Sequence, residues 1–544
     1  MKKKLVAFAL SMLMVLSIFA GCGSGASEPT SAAPNNTKPA SDGASSAETG
    51  GQALPSSADR TDVVIAVAQE PTGFFCQDKD ITTNQAKDSP VLFNIYENLV
   101  WLDENGVCQP WVATEWSMSE DGLTYDFTIR DDVTFSNGDK LTAEDVAFTA
   151  NLCLEKNPTL AGNLLINLEK AEALDDTHVR FTLKAPFGAF VTEMSTRAVF
   201  LINKRYYEEV GPAGYNENPV GTGAYTLESR VSGQEIVLKA RDDYWGGKPA
   251  IETITIRPIS NVATQFISLK TGDIDVINIA DVASCKELAP DDIATWFSAP
   301  SAARMVMTFN DTPGGSRPCN DKNLRLAIMN AINKDDILYA CADGEGYPLD
   351  IEAPSGYSGC PDAGSVPVIT QDIEKAKEYL AASSYNGAEP IKILCLAGTA
   401  QETAAQVIQG ALYEIGLTNV EVVATDTGNF YAAQTSGDYD FTIAVTSSSL
   451  NDISSLNTQY KIQGTIGPRY TRAEELHQLC LDADVETDPQ VRKDIWAKIL
   501  TISIEEGYGM GLYSANSVMA LNKNLEGVTL NPNNAWRVMG WSWK

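Results

Sequence analysis

The sequence predicts an α/β protein of two lobes with a smaller accessory region, and three observations carry that prediction. A chain of 544 residues is too long for one hydrophobic core, so its 44% hydrophobic content must be divided between at least two. Residues 391–396, 401–415, 420–424, 429–435 and 440–445 alternate strand, helix, strand, helix, strand, which is the order of parallel βαβ units. Met305-Val306-Met307-Thr308-Phe309-Asn310 is a short apolar strand placed to cross from one lobe to the other.

The chain opens with Lys2 to Lys4, an apolar run over 5–20 and then Gly21-Cys22, the charge, length and small-residue ending of a secretory signal rather than a spanning helix. Residues 23–59 are rich in Ser, Ala, Gly, Thr and Pro, hold few large apolar groups, and cannot repay the entropy of folding; they read as a flexible tether. Folding begins near Thr61, where Val63-Val64-Ile65-Ala66-Val67 reads as a buried strand. It runs into Glu70-Pro71-Thr72-Gly73-Phe74-Phe75, a polar and aromatic loop at a strand end, where α/β lobes favour ligands. Interior packing of Phe74 and Phe75 is the equal alternative.

Residues 121–151 are the most legible stretch. Thr124, Asp126 and Thr128 alternate with Tyr125, Phe127 and Ile129, the pattern of a strand with one buried face. Asp121-Gly122 and Asn137-Gly138 mark turns. A helix follows, with the Thr142 hydroxyl placed to accept orphan N–H groups and Glu144 and Asp145 in its positive first turn. Asn218 to Tyr225 holds glycines without the spacing or lysine of a phosphate loop and reads as a structural turn. Helical spacing of Leu324, Ile328, Ala331 and Ile332 predicts one helix over 321–340, and helices are expected near 471–483 and 489–506. A return segment covers 508–513 and 518–521, and most of Trp536, Trp541 and Trp543 are expected in the core.

Asn94-Ile95-Tyr96-Glu97-Asn98-Leu99, Gln109-Pro110-Trp111, Ser119-Glu120-Asp121-Gly122-Leu123-Thr124-Tyr125, Phe135-Ser136-Asn137-Gly138-Asp139 and Thr142-Ala143-Glu144-Asp145-Val146 together carry a family resemblance. They resemble the large extracytoplasmic solute-binding proteins of ATP-binding cassette importers, family 5, the group with oligopeptide-, dipeptide- and nickel-binding members. Pro219 to Tyr225 is similar to the family's P-x-G-T-G-P-Y turn, with Ala224 where Pro is usual. Asp243-Tyr244-Trp245-Gly246-Gly247-Lys248-Pro249 and Leu269-Lys270-Thr271-Gly272-Asp273-Ile274-Asp275 are further matches. Arg325, Ala327, Ala331 and Ile332 fall in its R-x-A-x-x-x-A-I-D-R run, with Asn333 and Lys334 replacing the usual Asp and Arg. Ala20-Gly21-Cys22 resembles a bacterial lipobox, with Phe19 where an aliphatic residue is usual.

The resemblance implies a periplasmic-binding-protein type II-like fold, two α/β lobes with crossing hinge strands plus an accessory subdomain. After a signal peptide (1–21) and a disordered tether (22–59) from a lipidated Cys22, lobe I takes 60–96, 216–304 and 512–544. The accessory subdomain takes 97–215 and lobe II 305–511. It further implies a monomer on the outer face of a bacterial membrane that delivers a solute to permease subunits; the residues themselves nominate no catalysis, cofactor or metal, and two histidines disfavour a nickel or haem role. A solute-sensing receptor lipoprotein of the same fold, with a sugar-like ligand, is the alternative, and an enzyme a remote third.

In peptide-binding relatives the segment matching Val445-Thr446-Ser447-Ser448-Ser449-Leu450-Asn451-Asp452 begins Gly-Trp and carries an Asp that pairs with the peptide's α-amino group. Here Val445-Thr446 replaces Gly-Trp and Ser449 stands at the Asp position, where a hydroxyl supplies no charge-assisted pairing to an ammonium. Asp452, three residues on, is the candidate substitute; a neutral, hydroxyl-rich solute is the other option, and a solvated loop the third. The residues expected to line the cleft are Glu70, Phe74 and Phe75 from lobe I, with Thr446, Ser447, Ser449, Asn451 and Asp452 from lobe II.

Composition narrows the field. A formal charge of −31 disfavours nucleic acid and other phosphate-rich partners. Of the 10 cysteines, nine remain once Cys22 is set aside, so at least one thiol is unpaired; Cys341 and Cys360 flank a Gly/Pro-rich loop and are the disulfide candidates. There is no C-x-x-C, and His178 and His477 are the only histidines, which gives little material for a zinc site or a triad. Neither G-x-S-x-G nor H-E-x-x-H occurs, and the adjacent acids Asp242-Asp243 and Glu505-Glu506 point to different faces.

Overall fold

The computed structural model describes residues 59–79, 85–103, 107–290, 292–354, 357–446, 452–462, 469–531 and 535–544. These belong to one compact unit, Pro55–Lys544. A single twelve-stranded sheet runs through both lobes, and the strand Gly509–Asn522 is the member they share. Its first half pairs antiparallel with Arg304–Phe309 and Gly346–Pro348, its second half with Ala294–Pro300 and Val276–Ile277. The two return segments expected at 508–513 and 518–521 are therefore one strand, and the boundary expected at 511 falls inside it.

Lobe II orders its strands Val420–Thr425, Ile391–Leu396, Phe441–Thr446, Arg304–Phe309. Ile391–Leu396 is parallel to both of its neighbours, as the strand and helix alternation requires. Arg304–Phe309 crosses from lobe I and pairs antiparallel with Phe441–Thr446. The single helix expected over 321–340 is two, Lys322–Ala331 and Lys334–Ala342. Ile332 between them is extended, and the Asn333 side chain caps the second helix by accepting the Asp335 N–H at 3.0 Å. Both helices bury their apolar residues in the same core, so the hydrophobic spacing continues across a break it does not reveal.

In lobe I, Asp62–Val67 lies parallel between Thr253–Pro258 and Val276–Ile277, and Glu235–Ala240 and Tyr225–Val231 extend the sheet antiparallel. The accessory subdomain is a four-stranded sheet, ordered Ala113–Met118, Thr124–Ile129, His178–Leu183, Leu168–Ala173. Tyr125, Phe127 and Ile129 are buried, as the alternation predicts. Gly122 and Gly138 hold φ of 68° and 87°, the left-handed conformation that their turns demand. The helix Ala143–Lys156 opens with a capping box: the Thr142 side chain takes the Asp145 backbone N–H, as expected, and the Asp145 carboxylate accepts the Thr142 N–H at 3.0 Å.

The turn around Gly221 and Gly223 is structural. Gly223 N–H donates to Ile95 O at 2.9 Å, and a Cβ on Gly221 would sit 2.0 Å from that oxygen. Trp536 and Trp541 are buried and Trp543 partly so. Cys341 and Cys360 form no disulfide. Cys341 Sγ approaches Ala400 O at 3.3 Å and packs against one lobe II cluster, while Cys360 packs against another, near Pro354 O, with burial pushing its thiol up to about 12.

Gly511 in the shared strand faces Ile351 O, which would lie 2.3 Å from an added Cβ. Gly511→Val is expected to lower the unfolding free energy by roughly 1–3 kcal/mol through overpacking, read as a lower midpoint in urea denaturation.

Candidate functional site

On lobe II the site grows from the end of Phe441–Thr446, since ligands of α/β sheets favour the carboxyl ends of strands. Ser447, Ser449 and Asn451 lie outside the described residues. Thr446 stands directly across the ladder from Arg304, the first residue of Arg304–Phe309. The chain is described again at Asp452, which makes a parallel bridge to Ser358 and begins the turn Ile453–Leu456.

Asp452 is fully buried and its carboxylate is already engaged. Oδ1 accepts from Arg492 Nη2 at 2.6 Å and from Ser454 N–H at 2.8 Å, and Oδ2 accepts from Arg492 Nη1 at 3.0 Å. This two-pronged pairing leaves no free carboxylate edge for a solute ammonium, so Asp452 anchors the loop instead of replacing the missing amine-binding Asp. Nearby, several buried polar atoms have no partner among the described residues: Thr446 Oγ1, Arg304 Nε and Nη1, Ser454 Oγ, Ser455 Oγ and Gln459 Oε1. Buried polar groups are nearly always hydrogen-bonded, so a cluster of unmet ones marks a place built for something further.

On lobe I the three expected residues are committed to their own lobe. Glu70 accepts from Arg230 Nε (2.9 Å), Ser232 Oγ (3.2 Å) and Gly233 N–H (2.9 Å). Phe74 and Phe75 are each 1% exposed, so the interior alternative describes them. Phe75 packs on Tyr207 and Tyr215, and Phe74 takes the Tyr96 hydroxyl on its carbonyl at 2.8 Å.

The sequence reading missed two arginines. Arg537 lies with its guanidinium carbon 4.0 Å from the Trp101 ring centroid and 4.6 Å from that of Trp111, and its Nη2 is 2.8 Å from Glu97 Oε2. Burial pushes the Glu97 carboxyl up, against the opposing pull of Arg537 and the Tyr244 hydroxyl, which donates to it at 2.6 Å. Arg304 is the second. The visible signals were the tryptophans around Arg537, and for Arg304 a lone cation at the head of an otherwise apolar strand.

The accessory subdomain touches lobe II beside Asp452. Gly188 N–H donates to Asp484 O at 3.3 Å, and a Cβ on Gly188 would meet Arg492 Cδ and Nε at 3.0 Å. Burial raises the Cys108 thiol and the Glu193 carboxyl of the accessory subdomain, and the nearby Asp452 charge adds to both shifts. Among the described residues no group of three or more His, Cys, Asp or Glu could hold a metal ion.

Removing one member of the Asp452–Arg492 pair strands the other as a buried charge. Arg492→Met is expected to cost roughly 3–5 kcal/mol in chemical denaturation, and the double change Asp452→Leu with Arg492→Met is expected to recover part of that loss.

Residues 108–466 match the family described as bacterial extracellular solute-binding proteins, family 5 middle. The chain is 30% identical over 369 residues to the nickel-binding periplasmic protein of Escherichia coli (strain K12), spanning 63% of this chain and 68% of that protein. It is also 30% identical over 329 residues to the glutathione-binding protein GsiB of Salmonella paratyphi A, spanning 60% of this chain and 62% of that one. Its fold is similar to that of HbpA2 from Haemophilus parasuis, with a TM-score of 0.79 at 23% identity over 89% of this chain and 100% of that one. Two lobes on a shared strand and a family match over 108–466 lead to one conclusion: this protein belongs to family 5 of the bacterial extracellular solute-binding proteins.

Proposed function

We propose that this protein binds an extracellular solute between its lobes and hands it to the permease subunits of an ATP-binding cassette importer, without chemical conversion. The observation that carries the proposal is mechanical. Two lobes are joined through crossing strands, and the Gly188 turn of the accessory subdomain rests on Arg492 and Asp484 of lobe II. A solute that touches both faces stabilises the arrangement in which they meet, and a permease then recognises that arrangement. The solute is a peptide or another polar small molecule. Nickel and glutathione are what two relatives are named for, which is in keeping with polar cargo.

Within this reading the loop 446–451, with Thr446, Ser447, Ser449 and Asn451, presents hydroxyl and amide groups to the solute, and Asp452 holds the loop through Arg492. Glu70, Phe74 and Phe75 shape lobe I from behind. Cys22 carries a lipid that keeps the protein on the outer membrane face, with 23–59 as the tether.

Native mass spectrometry of protein purified without refolding is expected to reveal a co-purified small molecule. A peptide series would establish peptide uptake, and a single sugar or polyol would remove it. Gly188→Val is expected to obstruct lobe contact and weaken solute affinity roughly tenfold in titration calorimetry, while far-ultraviolet circular dichroism stays unchanged.

A further inference from the structure

Two of the three guanidinium nitrogens of Arg304 are buried without an acceptor among the described residues. Along Arg304–Phe309 the side chains alternate, and Met305, Met307 and Phe309 enter the lobe II core. Arg304 therefore shares the opposite face with Thr308, whose hydroxyl accepts from Gln459 Nε2 at 3.4 Å. That face is closed over by the segment following Asp452, and Arg304 is left 2% exposed. Its guanidinium carbon lies 5.8 Å from the Tyr357 ring centroid, while Nε and Nη1 find no acceptor among the described residues.

The neighbouring acids are occupied. Asp452 is held by Arg492, and Glu352, whose carboxyl feels the Arg304 charge, accepts from the Tyr460 hydroxyl at 2.5 Å and from Ser503 Oγ at 3.1 Å and makes no hydrogen bond to Arg304 among the described residues. A buried guanidinium without a carboxylate of its own is costly, and such groups are otherwise paired. Thr446 stands directly opposite Arg304 in the antiparallel ladder, so the two side chains emerge on the same face, and its hydroxyl is also buried and unpartnered. Two unmet groups thus converge where the crossing strand enters lobe II, at the paired ends of Arg304–Phe309 and Phe441–Thr446. A guanidinium fork beside a hydroxyl matches the planar, two-oxygen edge of a carboxylate.

We infer that the solute carries a carboxylate and that Arg304, assisted by Thr446, is the residue that receives it. This rests on the solute-binding reading above and sharpens it. The solute's ionic anchor on lobe II is a cation for its acid group, in place of the carboxylate for an amine that the matching segment of peptide binders supplies. A neutral sugar is thereby excluded as the principal cargo.

The test uses the full chain and two probe sets in titration calorimetry and thermal shift. One set is a mixture of tri- to pentapeptides with free carboxyl termini, alongside glutathione; the other is the same peptides as C-terminal amides, alongside neutral oligosaccharides. The wild type is expected to bind the free acids and to lose at least tenfold in affinity for the amides. Arg304→Met is expected to abolish binding of the acids, Arg304→Lys to retain part of it, and Thr446→Val to weaken it. Without solute, Arg304→Met is expected to melt at or above the wild-type temperature, because it removes an unpaired buried charge. Binding of the acids by Arg304→Met at wild-type affinity, or a solute-free melting temperature well below wild type, would overturn the inference while solute binding stands. Wild-type protein that binds neither set would overturn the solute-binding reading itself, and this inference with it.

Discussion

The strand Gly509–Asn522 is the constraint on which the rest of the structure depends. One backbone segment supplies hydrogen bonds to lobe II through its first half and to lobe I through its second, so neither sheet is complete without it. Its ends are buried and its middle, around Asn516, is partly open. Small polar residues gather there: Ser301 donates to Ala515 O at 2.6 Å, Ser514 to Ala303 O at 2.9 Å, and Asn516 to Ser298 Oγ at 3.2 Å. A crossing of small side chains with satisfied hydrogen bonds can flex without opening a hydrophobic core, whereas sliding one lobe past the other would break the ladder. Hinge bending is the motion this topology leaves cheap.

Electrostatics then decides what meets across the hinge. The Asp452–Arg492 pair fixes the start of the turn Ile453–Leu456, and the same arginine is the surface on which Gly188 rests. The turn and the contact with the accessory subdomain thus share a support. Arg304 sits where the crossing strand enters lobe II, which places a charge for the solute next to the moving part. The accessory subdomain is tied to lobe I by contrast: Arg241 donates to Thr134 O at 2.9 Å and to Phe135 O at 3.1 Å, and Ser136 N–H donates to Gly221 O at 2.9 Å. Its Gly188 turn reaches lobe II.

The residues differ in how far they could be read. The alternation in 124–129 gave its buried face directly, because one face of a sheet meets solvent and the other does not. The break at Ile332-Asn333 was hidden because two helices bury one continuous apolar stripe, and spacing records burial rather than continuity. Asp452 was visible as an acid near the right place, but its partner Arg492 lies 40 residues away and only the fold brings them together. Phe74 and Phe75 could equally have been cleft or core, since an aromatic side chain serves both and neighbours in space decide.

By itself the sequence determined the class of fold, the order of its elements, the crossing strand and the family pattern, because periodicity, turn chemistry and motif spacing are local properties that survive without coordinates. Tertiary structure alone decided the site. It gave Asp452 to Arg492, placed Phe74 and Phe75 in the core, and left Arg304 facing Thr446 with donors unmet. Whether a polar group is free to bind depends on every group within about 3 Å of it, and those neighbours come from distant parts of the chain.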